Sequence, residues 1–259
     1  MDDEILYEVK DGIGTITLNR PQARNALTFA MYEQIAAICG DIPGHGAPKV
    51  LVLTGAGEKA FAAGTDISQF RAFEKPEDAL AYEAKIDRIL TTIESCPIPT
   101  IAAISGAVTG GGASIASACD MRIATASARF GFPVARTLGN CLSAKSYARL
   151  VALLGPARVK DVVFTARLVE APEGERAGLY NEVVADHAAL LARAYALAAT
   201  IAGHAPLTLR ATKESLRRLA QDGAHAETDD LVVMCYMSAD FREGIEAFLG
   251  KRPPNWTGR

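Results

Sequence analysis

The stretch from Pro99 to Asp120 limits what this chain can fold into more than any other. A strand-like run, Pro99-Thr-Ile-Ala-Ala-Ile104, enters Ser105-Gly-Ala-Val-Thr-Gly-Gly-Gly-Ala-Ser-Ile-Ala-Ser-Ala-Cys-Asp120. Gly110, Gly111 and Gly112 carry no Cβ, so the backbone there can turn sharply and approach another backbone or a ligand. A small-residue helical pattern follows from Gly111 to Ala118, and Asp120–Thr125 reads as another strand. A helix that opens on glycines directs unpaired N–H groups and a partial positive charge at whatever lies before it. Such an end suits a phosphate, a carboxylate or a developing oxyanion. A glycine triplet alone is as readily a tight turn with close packing, so the other segments must decide.

The same alternation recurs elsewhere. Glu4–Lys10 and Gly14–Leu18 read as strands joined by the hairpin signal Asp11-Gly12. Thr28 is placed to cap a helix running to about Gly40, and Lys49–Thr54 is apolar enough for a strand covered on both faces. Gly55–Ile67 reads as irregular, with helical periodicity from Ile67 to Phe73 and from Pro76 to Ser95. Helices are expected over Ala144–Leu154, Ala157–Phe164, Ala188–Ala202, Leu207–Ala220, Glu227–Met237 and Phe241–Leu249. Val169–Val184 reads as irregular with one short strand at Asn181–Val184. Strands alternating with helices indicate the α/β class. The shift to helix near residue 190 suggests a core over 1–190 and a helical layer over 191–259.

Composition excludes several partners. Across 259 residues the net charge is −3, and 22% charged residues with 49% hydrophobic ones are ordinary for a globular protein. No basic stripe supports nucleic-acid binding, and no apolar run reaches the roughly 20 residues a membrane helix needs. The acidic start lacks a secretory pattern, and five scattered cysteines form no C-x-x-C pair. A cytoplasmic location without disulfides or a metal site is the expectation.

Two segments stand together: Ala60-Phe-Ala-Ala-Gly-Thr-Asp-Ile67 and Ser105-Gly-Ala-Val-Thr-Gly-Gly-Gly-Ala113. Each follows a strand-like run and opens toward a helix, and an oxyanion hole for a thioester carbonyl needs two N–H groups of this kind. With Asn19-Arg-Pro-Gln-Ala-Arg-Asn-Ala-Leu27 and the ending Asp240-Phe-Arg-Glu-Gly-Ile-Glu-Ala-Phe-Leu-Gly-Lys-Arg-Pro-Pro-Asn-Trp256, they resemble the enoyl-CoA hydratase/isomerase (crotonase) superfamily along nearly the whole chain. The resemblance implies a spiral of ββα units with two roughly perpendicular sheets. C-terminal helices would then assemble homotrimers, commonly paired into hexamers. It implies an acyl-CoA thioester as substrate, with no permanently bound cofactor.

By motif position, the N–H groups of Thr65 and Gly111 would polarise the thioester carbonyl and stabilise its enolate. Arg24 would meet a CoA phosphate, although an isolated loop arginine is as readily a solvated one. Ala62, Ala63, Gly64, Asp66, Ile67 and Gly110 would line the CoA and acyl path, with Asp66 chiefly a helix cap. Phe248 and Lys251 resemble positions that reach CoA from a neighbouring subunit.

The chain departs from the hydratase pattern at both acids. The position after Gly-Gly-Gly-x is Ser114, and the residue after Phe130-Gly-Phe-Pro133 is Val134. Hydration uses two glutamates there as base and acid, and neither serine nor valine can replace them unaided. The remaining candidates are Ser114 itself, Arg136 for a substrate carboxylate, and Cys141 where a dehalogenase of this family carries its nucleophilic aspartate. Each has a plainer reading as a packing or surface residue, and Asn140 is expected to cap the following helix. An acyl-CoA enzyme that handles a thioester enolate is the favoured reading. A non-catalytic CoA-binding subunit, or a decarboxylase or thioesterase using Arg136 or Cys141, stands beside it.

Overall fold

The computed structural model describes residues 3–259. It opens with a hairpin of β1 (Ile5–Lys10) and β2 (Ile13–Leu18), whose turn residues Asp11 and Gly12 have φ of 52° and 76°. Two positive φ values give the turn whose twist matches paired strands. Thr28 then caps α1 (Phe29–Asp41), its hydroxyl accepting the Met31 backbone N–H at 3.2 Å.

From there the chain repeats one manoeuvre: a strand in a large sheet, a three-residue strand in a small sheet, then a helix. The first unit is β3 (Val50–Gly55), β4 (Ala60–Ala62) and α2 (Pro76–Glu94). The second is β5 (Thr100–Ile104), β6 (Ala107–Thr109) and α3 (Gly111–Ala118). The third is β7 (Met121–Thr125), β8 (Arg129–Gly131), the single turn α4 (Val134–Thr137) and α5 (Ala144–Thr165), which is broken at Gly155 (φ 73°) ahead of Pro156. The chain returns to the sheets through β9 (Val169–Glu170), α6 (Ala171–Arg176) and β10 (Glu182–Val184). It ends in α7 (His187–Ala202), α8 (Pro206–Asp222), α9 (Asp229–Tyr236) and α10 (Ala239–Leu249). The α/β class and the succession of ββα units are as expected.

The large sheet has the order β1-β2-β3-β5-β7-β10, parallel from β2 onward. The small sheet has the order β4-β6-β8-β9. Side chains alternate across a strand, and here both sides are apolar. Leu51, Leu53, Ala102 and Ile104 face the core shared with α1, α2, α3 and α5. Val50, Val52, Ile101, Ala103 and Ile123 meet Leu190, Ala194 and Ala198 of α7 on the other side.

Helix α7 packs on the large sheet through Leu190, Ala194 and Ala198, and the expected boundary at residue 190 falls within it. Two other expectations require correction. Val169–Val184 is not mainly irregular, because it holds β9 and α6. Ser143, not Asn140, caps α5: its hydroxyl accepts the Ser146 N–H at 3.1 Å.

Two buried polar side chains hold the segments around the small sheet. Asn25, with φ of 55°, donates through Nδ2 to the carbonyls of Ala60 (2.8 Å) and Ala56 (3.1 Å). Its Oδ1 accepts the Arg20 N–H at 3.1 Å. Arg122 donates to the Cys119 carbonyl at 2.6 Å, the Ala116 carbonyl at 3.2 Å and the Leu179 carbonyl at 2.8 Å. A guanidinium at the C-terminal end of α3 satisfies carbonyls that the helix leaves open and complements its dipole. The orientation of α3 is thereby fixed.

Asn25→Ala strips two buried carbonyls and a backbone N–H of their partner and forces alanine into a left-handed conformation. A loss of about 2–3 kcal/mol in unfolding free energy is expected from urea denaturation. An unchanged midpoint would contradict this role.

Candidate active site

The second β4 neighbour of α3 is the loop Ala63-Gly64-Thr65-Asp66. It is paired to the preceding motif: Ala63 N–H donates to the Arg24 carbonyl at 3.0 Å, Leu27 N–H to Gly64 at 2.8 Å, and Asp66 N–H to Leu27 at 2.8 Å. That alternation leaves the Thr65 N–H directed away from the pairing. Gly111 is the first residue of α3, where a helix has no internal acceptor for its N–H. Among the described residues, neither N–H has a hydrogen-bond acceptor.

The two loops meet because glycines leave no side chain between them. A Cβ on Gly112 would lie 2.6 Å from the Ala62 Cβ and collide with the Ala62 carbonyl. A Cβ on Gly111 would strike the Tyr32 hydroxyl and lie 2.7 Å from Thr65 Oγ1. Gly110 has φ 50° and ψ −120°, a region that only glycine occupies without strain. Thr65 Oγ1 is held by Tyr32 Oη at 2.8 Å and Tyr82 Oη at 3.3 Å. Burial, then the neighbouring Tyr82, pushes the Tyr32 phenol far up, so it stays neutral and only shares its proton. Tyr82 is raised too, again chiefly by burial. Edge contacts with Phe70 (4.9 Å between ring centroids) and Phe73 (5.9 Å) lock Tyr82 in place.

A cavity of about 180 Å³ opens between these loops, α2 and the segment before α5. Thr65, Gly110, Gly111 and Ser114 line it together with Ala63, Gly64 and Ile67, as does Val134. Ser114 is buried, and its hydroxyl donates to the Gly110 carbonyl at 3.3 Å, one turn back along α3. A wider groove of about 450 Å³ lies along α8 and α10. We do not place chemistry there: its lining is mostly apolar, and its carboxylate, Asp240, is occupied by Thr257 and Gly258 backbone N–H groups at 2.7 and 2.8 Å. Among the described residues there is also no cluster of metal-ligating side chains, and no single helix is long and apolar enough to cross a membrane.

Other expected residues fall differently. Asp66 is a cap, accepting the Ser68 N–H at 3.2 Å, and it pairs with Arg20 at 3.1 Å. These bonds, that to the Ser68 hydroxyl foremost, hold its carboxyl below the usual range against its desolvation. Ala62 is buried against Gly112 and does not line the cavity. Arg24 is exposed at a left-handed turn, and its carbonyl is used by Ala63. Arg136 and Cys141 are both exposed and neither lines the cavity, although Thr137 and Asn140 do. The run after α4 is exposed through Cys141, and Leu138, Asn140 and Leu142 line the cavity from it. Phe248 and Lys251 lie on and just after α10, away from this cavity; Phe248 is 84% exposed.

One carboxyl on the cavity wall escapes a reading based on the glycine motifs. Glu83 of α2 lines it beside Tyr82 and Ile86. Burial, then the charge of Asp87 one turn on, raises its carboxyl above the ordinary glutamate value, opposed by a backbone hydrogen bond from Ser143. The signal was present in the helix pattern. Ile86 and Leu90 are buried, and Glu83 falls three and seven residues before them on that apolar stripe.

Comparison with known proteins agrees with this geometry. Residues 8–259 match the family described as enoyl-CoA hydratase/isomerase. A short-chain-enoyl-CoA hydratase of Clostridium acetobutylicum is 32% identical over 253 residues, covering 96% of each chain. A crotonyl-CoA hydratase of Syntrophomonas wolfei is 32% identical over 260 residues, covering 99% of each. A crystal structure of an enoyl-CoA hydratase/carnithine racemase from Magnetospirillum magneticum superposes with a TM-score of 0.90 at 34% identity, covering 100% of this chain and 97% of that one. By fold and by sequence along almost its full length, this chain belongs to the enoyl-CoA hydratase/isomerase family.

Proposed function

We propose that this protein binds an acyl-CoA thioester in the cavity between the Thr65 loop and α3 and stabilises its enolate. The carrying observation is the pair of backbone N–H groups, Thr65 and Gly111, left without acceptors on the wall of one cavity. A thioester oxygen between them gains charge as a proton leaves the α-carbon, so both hydrogen bonds strengthen in the transition state. The dipole of α3 adds to this, because Gly111 is at its positive end. In this reading the Ala62–Ile67 backbone and Arg24 accompany the CoA moiety.

Phe248 and Lys251 would reach that moiety from a second copy in a homotrimer, or in a hexamer of two trimers. The exposed Phe248 and Leu249 of α10, with Tyr236 and Met237, support such an assembly, since an apolar patch of this kind normally meets a partner. A cytoplasmic setting without a resident cofactor completes the reading. Arg136 and Cys141, being outside the cavity, give no support to a decarboxylase or thioesterase.

The reaction differs from ordinary hydration. Ser114 spends its proton on the Gly110 carbonyl and Val134 is apolar, so the acid and base of a two-glutamate hydratase are missing. A non-catalytic CoA-binding role is the second reading, favoured by those same two positions.

Two outcomes are expected. Hydration of crotonyl-CoA by pure protein, followed by loss of the enoyl-thioester absorbance, should be at least about 100-fold slower than by a two-glutamate hydratase, because acid–base groups contribute that much or more. A rate equal to such an enzyme would contradict the assignment. An S-alkyl-CoA thioether, which has no carbonyl oxygen, should bind about 10- to 30-fold more weakly than the matching thioester by calorimetry, two hydrogen bonds at about 1 kcal/mol each being lost. Equal affinities would exclude the Thr65–Gly111 pair as the carbonyl site.

A further inference from the structure

We infer that Glu83 of α2 is the catalytic acid–base residue of this cavity, serving the isomerisation, a double-bond shift in an unsaturated acyl thioester, that the family's description already names. The inference rests on the thioester reading of the Thr65–Gly111 pair. Among the described residues lining the cavity, Glu83 is the one carboxyl, and no histidine, cysteine or lysine joins it there. It lines the same cavity as Thr65, Gly111 and Ser114, and its neighbour Tyr82 hydrogen-bonds Thr65 Oγ1 at 3.3 Å. No arginine or lysine neutralises it: Arg149 pairs with Glu94 at 2.6 Å, and Lys85 and Arg88 pair with Glu33 at 3.0 and 2.8 Å. Asp87, one turn on, is by contrast occupied by the Ser143 hydroxyl at 2.6 Å and lies 3.8 Å from the Arg149 guanidinium.

An unpaired carboxyl half-buried on an apolar helix face is costly to keep, and such a group is a functional-site candidate. The surroundings leave it basic. Burial and the Asp87 charge raise its carboxyl, and the Ser143 N–H opposes them. The remaining neighbours are the phenols of Tyr32 on α1 and Tyr82 on α2, both kept neutral by burial. A base whose pKa is moved from the glutamate value toward neutrality is better matched to proton transfer at carbon.

One carboxyl suffices for the chemistry. In a β,γ-unsaturated acyl thioester, the Glu83 carboxylate takes a proton from the α-carbon. The C–H electron pair forms the enolate, whose oxygen is held by the Thr65 and Gly111 N–H groups. The protonated Glu83 then delivers its proton to the γ-carbon, the double bond moves into conjugation, and the carboxylate is restored. No water or other reactant is consumed. Addition of water at the β-carbon is disfavoured in this arrangement, because the positions that would hold it are Ser114, already donating to Gly110, and Val134.

The test uses 3-hexenoyl-CoA with the intact protein in deuterium oxide. Absorbance follows the conjugated product, and mass spectrometry follows deuterium in the acyl chain. The wild-type protein is expected to form product and incorporate deuterium. Glu83→Gln, close to isosteric, should lose at least about 100-fold in both rates while binding the thioester within about twofold of wild type. Glu83→Asp should fall between them. Thermal melting gives an independent check. A carboxyl raised in the folded state favours folding while protonated and loses that advantage as pH rises through its folded pKa. Glu83→Gln should therefore melt higher than wild type at pH 8, with the gap closing below the ordinary glutamate range. A Glu83→Gln variant that exchanges and isomerises at wild-type rates would overturn the inference. So would a wild-type protein that binds the thioester but forms no conjugated product. Failure of the wild-type protein to bind the thioester would instead overturn the reading of the cavity itself.

Discussion

The site depends on one close approach: Gly111 and Gly112 of α3 lying against Ala62, Thr65 and Tyr32. With any side chain at Gly112 the Ala62 carbonyl would have to move, and with any at Gly111 the Tyr32 hydroxyl would. That packing brings a loop after β4 and a helix after β6 to the wall of one cavity. It also explains why the two strands need only three residues each. Their parallel pairing, Ala60 with Ala107 and Ala62 with Val108, aligns the two loops rather than building a sheet of any extent. The N-terminal end of α3 then faces the cavity while Arg122 secures its other end.

Around that contact, polar side chains serve position before chemistry. Asn25 joins the loop carrying Arg24 to the carbonyls of Ala56, before β4, and Ala60, its first residue, and Arg20 reaches the Ala26 carbonyl as well as Glu4 and Asp66. The Asn-Arg-Pro-x-x-x-Asn motif thus serves backbone satisfaction through Asn25 and both backbone and carboxylate pairing through Arg20. Likewise the Tyr32–Thr65–Tyr82 hydroxyls fix the Thr65 side chain from two helices and keep its peptide aimed at the cavity. A preorganised donor pays no reorganisation when charge develops, which is why rigidity here matters to rate.

Much of this was legible in the sequence, for physical reasons that also mark its limits. The all-apolar Val50–Gly55 and Thr100–Ile104 strands announced themselves because both faces are covered. Helix α3 was legible to the residue, since Gly111 opens it and its small side chains pack inward. The small sheet was not legible: β4, β6 and β8 are each three residues long, too short for any period, and their pairing is wholly non-local. The proposed Thr65–Gly111 pair rests on a family resemblance carried by two glycine motifs, and the cavity's carboxyl lies outside both motifs. Glu83 comes from a helix more than twenty residues before Gly111, and only folding brings the two to one cavity. A glutamate in register with Ile86 and Leu90 was the available sign.

The role proposed for the Thr65 and Gly111 N–H groups is to polarise a thioester carbonyl. Isotope-edited vibrational spectroscopy of an acyl-CoA labelled with ¹³C at the carbonyl, bound to the protein, tests it most directly. The carbonyl stretch is expected to move to lower frequency on binding, as two hydrogen bonds weaken the C=O bond. A bound thioester whose carbonyl frequency matches that in an apolar solvent would contradict it.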